Sequence, residues 1–235
     1  MKRIIVVEYP KSGGSWLVSM IGHALSLPRR DIYVRNGFNL FDVSRHPWYE
    51  SADSLELTDC CVIKSHELPG SPLHNFEGVF VHLIRDGRDV IVSKYFYEKE
   101  FCVMNGIYKS FDIPFDDFVR KTAAEWSHFV LSWLERPVIS CFYEELLAEP
   151  HQTLSRLLCL MGEKVNDTVI ASSIEAHTKE KMREALGKAF THNTFVRKGI
   201  AGDWKHHLNR SHIEAVKQAA GKALIRTGYV PDDNW

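Results

Sequence analysis

Four stretches of this 235-residue chain carry residue types and spacings suited to anion chemistry. Tyr9-Pro10-Lys11-Ser12-Gly13-Gly14-Ser15-Trp16 comes after a short apolar run. Glycines let successive backbone N–H groups turn inward. A helix starting behind them adds partial positive charge, and Lys11 adds a full one, so the stretch makes an anion cradle. It is not the Walker sequence GxxxxGK[ST], because the lysine precedes the glycines. Lys64 and His66 are two apart on an extended segment, so they face the same side and can converge on one centre. They pair a cation with a group whose ordinary pKa of about 6.5 suits proton transfer near neutrality. Arg85 ends another apolar run, and Ser93 lies two turns into the helix expected after it; a guanidinium's planar fork matches phosphate oxygens in pairs. Arg197-Lys198-Gly199-Ile200-Ala201-Gly202-Asp203-Trp204-Lys205 joins two glycines to paired cations, which suits a lid over an anion. Taken alone, these stretches also fit a tight β–α turn, a loop histidine, ordinary helix charges and a basic surface turn.

The elements that must position these groups emerge from the patterning. Ile4–Val7 is apolar and β-branched throughout, as expected of a buried central strand in a parallel sheet. Ser15 can cap a helix through Trp16, Val18, Met20, Ile21 and Leu25, with Pro28 stopping it. Strand, glycine loop and helix together open an α/β nucleotide-binding fold. Cys60–Ile63, Val79–Ile84 and Val138–Phe142 read as further buried strands. Asp86–Phe101 reads as a helix, and Pro114 opens a long amphipathic one through Phe118, Val119, Ala123, Trp126, Val130 and Trp133. Helices are expected at roughly 144–162, 166–186 and from about Ser211 to Thr227. Residues 29–58 read as irregular, polar and scattered with aromatics. With no repeat or linker, the expectation is one domain over 1–235. Its fold class is α/β, a P-loop-like three-layer arrangement with a central parallel sheet flanked by helices.

Composition narrows the function. Lys+Arg total 29 and Asp+Glu 30, a formal net charge of -1. That balance argues against nucleic-acid binding by bulk charge, so an anion must be caught locally. No apolar run reaches the roughly 18–20 residues that span a bilayer, and Glu8 and Pro10 cut short any signal-peptide core. The five cysteines include no CxxC pair, which indicates neither zinc nor a disulfide framework. A cytoplasmic, reducing setting with thiols in the core is the expectation.

Across these segments the chain resembles the cytosolic sulfotransferase family. The family's phosphosulfate loop reads close to YPKSGTTW, where this chain has Gly14 and Ser15 in place of the two threonines. Val62-Ile63-Lys64-Ser65-His66-Glu67-Leu68-Pro69 is similar to its KTHLP. Arg85-Asp86-Gly87-Arg88-Asp89-Val90-Ile91-Val92-Ser93 is similar to its R-[N/D]-x-[K/R]-D-V-x-V-S. Residues 197–205 match RKGxxGDWK, and Tyr143-Glu144-Glu145-Leu146 with Pro150 resembles YE[D/E]L…P.

The resemblance implies transfer of a sulfuryl group from 3′-phosphoadenosine 5′-phosphosulfate (PAPS) to a hydroxyl, leaving 3′-phosphoadenosine 5′-phosphate (PAP). It implies that Lys11, Ser12, Gly13, Gly14 and Ser15 hold the 5′-phosphosulfate, Trp16 stacks on the adenine and Tyr143 hydrogen-bonds near it. Arg85, Ser93, Arg197, Lys198 and the Gly199 amide are implied for the 3′-phosphate. His66 is the implied general base, with Lys64 polarising the transferring group and Lys11 beside it; no metal is expected. Arg88 and Asp89 are expected in a structural network. With Gly14, one hydroxyl contact is either lost or replaced by backbone or water. Glu67 stands where the family has leucine, and either orients His66 or serves as base itself. Thr178 and Met182 stand near the family's purine-packing group. The acceptor is expected to be a small apolar or aromatic alcohol, lined by the 33–49 loop, by Phe96–Tyr108, or by Trp126 and Trp133, with core packing the alternative for at least one tryptophan. In Lys205–Glu214, the family's dimer segment has lost its apolar centre to Asn209 and Arg210, so a monomer or a different dimer is expected. A P-loop kinase and a non-catalytic nucleotide-binding module are the rival readings.

Overall fold

The computed structural model describes residues 3–34, 46, 48–52, 60–75, 78–189 and 195–235. Within them run β1 (Arg3–Glu8), α1 (Gly14–Leu25), β2 (Arg29–Tyr33), β3 (Glu50–Ser51), β4 (Val62–Ser65), β5 (Gly78–Ile84), α2 (Gly87–Phe96), α3 (Phe115–Leu134), β6 (Ile139–Phe142), α4 (Tyr143–Ala148), α5 (Pro150–Leu160), α6 (Asp167–Ala176), α7 (Lys179–Ala189) and α8 (Arg210–Arg226). The chain divides into two compact units: Met1–Ile84 with Trp133–Met182, and Arg85–Ser132 with Arg183–Trp235.

The first unit holds the whole sheet, in the order β3-β2-β4-β1-β5-β6 with every pairing parallel. This is the α/β class and parallel sheet that the apolar runs predict. β1 lies centrally, with Val6 opposite both Lys64 and Val81. Its residues Ile4–Val7 are buried on both faces, as a β-branched run without alternation requires. Ile4 and Val6 point into a core shared with Leu17, Val18, Met20 and Ile21 of α1, Leu146 of α4, Leu154, Leu157 and Leu158 of α5, and Ile170 of α6. The Ser173 hydroxyl ties α6 to the Met20 carbonyl at 2.7 Å.

Several boundaries differ from the sequence expectation for identifiable reasons. Arg29–Tyr33, expected to be irregular, is β2, and it pairs with β4 through Arg30 opposite Ile63 and Asp31 opposite Lys64. Its cations masked the strand: Arg29 and Arg30 pair with Asp31 and Glu50 while Ile32 is buried. Pro150 starts a new helix at its N1 position, so the helix expected over 144–162 is two, α4 and α5. The one expected over 166–186 is likewise broken between Ala176 and Lys179.

In the second unit, the Asp86 side chain caps α2 by accepting the Arg88 amide at 2.9 Å. Beyond Phe96 the chain continues as a π-helical segment, Tyr97–Cys102, in place of the plain α-helix that the pattern suggests. Trp126 of α3 is fully buried against Gly87, where an added Cβ would strike the indole. Tyr95 centres a ring cluster with Phe111, Phe115 and Phe118 at centroid distances of 4.6–5.5 Å. α8 begins with a reciprocal capping box between Asn209 and His212, and His212 Nε2 meets Asp116 at 2.5 Å. Asn209 and His212 therefore close the start of α8 within the unit.

Candidate active site

The first unit carries the loop between β1 and α1. Lys11 and Gly13 both have left-handed backbone, φ 76° and 106°. The Ser12 hydroxyl donates to the Tyr9 carbonyl at 2.7 Å, so Ser12 holds the turn from inside. The Tyr143 ring lies where a side chain on Gly13 would go, and meets Trp16 edge-on at 6.1 Å. Trp16 is further held by its indole N–H donating to the His177 carbonyl at 2.9 Å. This brings Lys11–Trp16 and Tyr143 together, and adds the backbone just before Thr178.

In the sequence Glu8 marks only the end of an apolar run. It is buried, and its Oε2 accepts the Gly14 amide at 2.6 Å. Its carboxyl fills the volume a side chain on Gly14 would need, which accounts for glycine at that position. Burial, opposed by Lys64 and the Gly14 amide, raises the Glu8 pKa to about 7.

Lys64 and His66 emerge from β4 beside this loop. Lys64 Nζ donates to Ser15 Oγ at 3.0 Å and pairs with Asp31 Oδ2 at 2.8 Å, both ions buried. Arg29 grips Asp31 with Nε and Nη2 at 3.1 and 2.9 Å, and reaches the Ser19 hydroxyl of α1 at 3.1 Å. Desolvation opposes the charge on Asp31, but Lys64 and Arg29 outweigh it and hold the carboxyl down at about 2. The Lys64 pKa is raised: burial works against its charge, and Tyr49 and Asp31 overcome that.

His66 Nδ1 lies 2.8 Å from the Glu8 carbonyl, and a carbonyl can only accept. Nδ1 therefore carries the proton, leaving the Nε2 lone pair to accept from the Tyr49 hydroxyl at 2.6 Å. Burial and the Lys64 charge lower the His66 pKa to about 3, so the ring is neutral. Glu67 Oε1 accepts the Val34 amide at 3.0 Å, and the Glu67 carbonyl accepts the Trp133 indole N–H at 3.0 Å. Of the residues proposed for the acceptor, Trp126 and Trp133 are both buried, and the loop residues 35–45 and 47 lie outside the described residues.

The second unit carries the residues expected at the 3′-phosphate. Arg85 Nη2 donates to the Ile200 carbonyl at 3.1 Å. Asp89 accepts the Gly202 and Trp204 amides at 2.6 and 2.9 Å, and Arg88, doubly bonded to Asp86, lies 4.3 Å from the Trp204 ring. The expected Arg88/Asp89 network is thus what ties segment 197–205 to the start of α2. Within that segment Asp203 pairs with Arg197 and, at 2.7 Å, with Lys198. Arg197 Nε is buried without a hydrogen-bond partner among the described residues, a donor that an anion would satisfy. Ser93 lies on α2 and is partly exposed.

Glu8, Asp31 and Arg29 escape a reading of the sequence, and Tyr49 enters it only as part of the 33–49 loop offered as acceptor lining. The first three are charges at a strand end or within a short strand, and that is the only available sign. Nothing in the sequence singles Tyr49 out from the other aromatics of that loop as the partner of His66. Among the described residues no group of three or more His, Cys, Asp or Glu is placed to hold a metal ion, and no helix is long and apolar enough to cross a membrane.

The chain is similar to known proteins in sequence and in fold. The guinea pig 3-alpha-hydroxysteroid sulfotransferase is 29% identical over 253 residues, covering 97% of this chain and 84% of that protein. A crystal structure of mouse sulfotransferase SULT7A1 complexed with PAP shares the fold, with a TM-score of 0.71 at 20% identity over 97% of this chain and 85% of that one. So does retinol dehydratase in complex with androsterone and PAP, with a TM-score of 0.70 at 19% identity over 94% and 80%. The sulfotransferase domain family model matches residues 1–228, and the chain belongs to that family.

Proposed function

We propose that the protein moves the sulfuryl group of PAPS to a hydroxyl of a small apolar or aromatic acceptor, with His66 as general base. The observation that carries this reading is the convergence of Lys64 and His66 beside the phosphate loop. Lys64 bonds Ser15, and the proton-accepting nitrogen of His66 points at a hydroxyl that a tyrosine supplies.

The acceptor oxygen attacks sulfur in line as His66 Nε2 takes its proton, and the bond from sulfur to the 5′-phosphate oxygen breaks. Negative charge grows on the departing phosphate, where Lys11, Lys64 and the loop amides offset it. Membership of the family supports the donor assignment, as do the PAP complexes of the two structures that share the fold. Arg85, Ser93, Arg197, Lys198 and the Gly199 amide are assigned to the 3′-phosphate, with the buried, unsatisfied Arg197 Nε in support. The names of two relatives, a hydroxysteroid sulfotransferase and a retinol dehydratase bound to androsterone, favour an apolar alcohol. We assign 1–235 to one functional domain working in the cytoplasm.

Titration with PAP and with ATP tests the donor assignment. PAP is expected to bind more tightly by at least tenfold; ATP binding without preference for a 3′-phosphate would favour a kinase instead. Screening alcohols and phenols with PAPS for a mass gain of one sulfuryl group tests the acceptor class.

A further inference from the structure

We propose that Tyr49 is an internal acceptor, so that with PAPS and no external hydroxyl the chain sulfates its own Tyr49 Oη. The inference rests on the proposed sulfuryl transfer and extends it to a modification site.

An acceptor oxygen in this reaction needs three neighbours: a base for its proton, positive charge beside the sulfuryl group, and a phosphate-binding loop within reach. The Tyr49 phenol has all three. Its hydroxyl donates to His66 Nε2 at 2.6 Å, the nitrogen left as acceptor once Nδ1 is bonded to the Glu8 carbonyl. Lys64 Nζ lies 4.9 Å from the centre of its ring, and the same ammonium bonds Ser15 Oγ of the loop at 3.0 Å. The His66 and Tyr49 rings lie 5.7 Å apart between centroids, and the His46 and Trp48 rings lie 6.1 and 6.3 Å from the phenol ring. The hydroxyl is therefore held in the seat by aromatic packing as well as by the hydrogen bond. Burial raises the phenol's pKa to about 12, so it remains protonated until the base removes its proton during attack.

The step balances without any further reactant. Tyr49 Oη forms a bond to the sulfur of PAPS and loses its proton to His66 Nε2. The bond from sulfur to the 5′-phosphate oxygen breaks, and its electron pair leaves with PAP. The product is a tyrosine O-sulfate beside Lys64. It has no proton to give His66 and it blocks an incoming hydroxyl, so the enzyme silences itself when acceptor is scarce.

The test incubates the purified full-length chain with PAPS alone, with intact-mass measurement and peptide mapping as the readout. Expected are up to one sulfuryl group per chain on the peptide carrying Tyr49, an equal amount of PAP released, and loss of activity with time. Added 2-naphthol is expected to slow the modification by competing for the seat. Tyr49→Phe, which keeps the ring, is expected to take up no sulfuryl group and, whatever its initial rate, to show no further loss of that rate through the same incubation. An unmodified chain, or one modified elsewhere, that still binds PAPS overturns this proposal and leaves the functional reading standing. A chain that neither binds PAPS by calorimetry nor releases PAP overturns both.

Discussion

The carboxyl of Glu8 occupies the space that a side chain on Gly14 would take, and it accepts the Gly14 amide. One residue of the phosphate loop is thus glycine because a buried acid stands behind it. Gly14→Ala is expected to cost about 1–3 kcal/mol from overpacking, and less in a Glu8→Ala background, where the methyl group has room. Chemical denaturation of the double-mutant cycle measures the coupling; equal costs in both backgrounds would sever the two positions.

Glu8 also sets a pH response. Its pKa is raised from 4.5 to about 7, so the folded chain binds this proton more tightly than the unfolded one. The contribution is full below about 4.5 and is lost as pH rises through about 7, an effect on the order of 3 kcal/mol. A carboxylate appearing behind the loop also repels phosphate. Glu8→Gln is expected to remove the alkaline part of the melting-temperature slope and to keep PAP affinity constant from pH 6 to 8.5. The parent chain is expected to lose affinity several-fold over that range.

Asp31 holds Lys64 in place. Asp31→Asn leaves a buried ammonium without its carboxylate partner, at a cost of about 3–5 kcal/mol, and is expected to lower turnover more than it weakens PAP binding. Because the Asp31 pKa is lowered to about 2, its own contribution is present above about 3.8 and fades as pH falls through 2. Urea unfolding at pH 7 and pH 3 reads both effects.

His66→Ala is expected to abolish transfer while leaving PAP affinity within a few-fold. With the His66 pKa near 3, turnover in the parent is expected to show no inflection at 6.5. The same depression means that the stability contribution of His66 is full above about 6.5 and declines as pH falls toward 3. A rate profile with a clear limb at 6.5 would place the base in a different environment.

Arg197→Ala is expected to weaken PAP at least tenfold, and to leave adenosine 5′-phosphosulfate, which lacks the 3′-phosphate, nearly unaffected. Calorimetry with both nucleotides decides it. Equal weakening would mean that Arg197 serves the fold through Asp203 and not the nucleotide.

The amino-acid sequence by itself determined β1, its glycine loop and α1, because an unbroken β-branched run, two glycines and an amphipathic helix are each local signals. It also determined the Arg197–Lys205 string and the Lys64/His66 pair, whose spacing alone puts two side chains on one side of an extended chain. Tertiary structure decided what charges those groups carry. Arg29–Tyr33 looks like polar loop because its strand character comes from pairing with β4, a contact between residues 33 positions apart at Asp31 and Lys64. Glu8 looks like the end of a strand, and only the fold shows it buried against the Gly14 amide. Tyr49 acquired meaning when the chain brought its hydroxyl to His66. Ionisation, tautomer and proton direction depend on burial and on neighbours distant in sequence, and no local pattern encodes those.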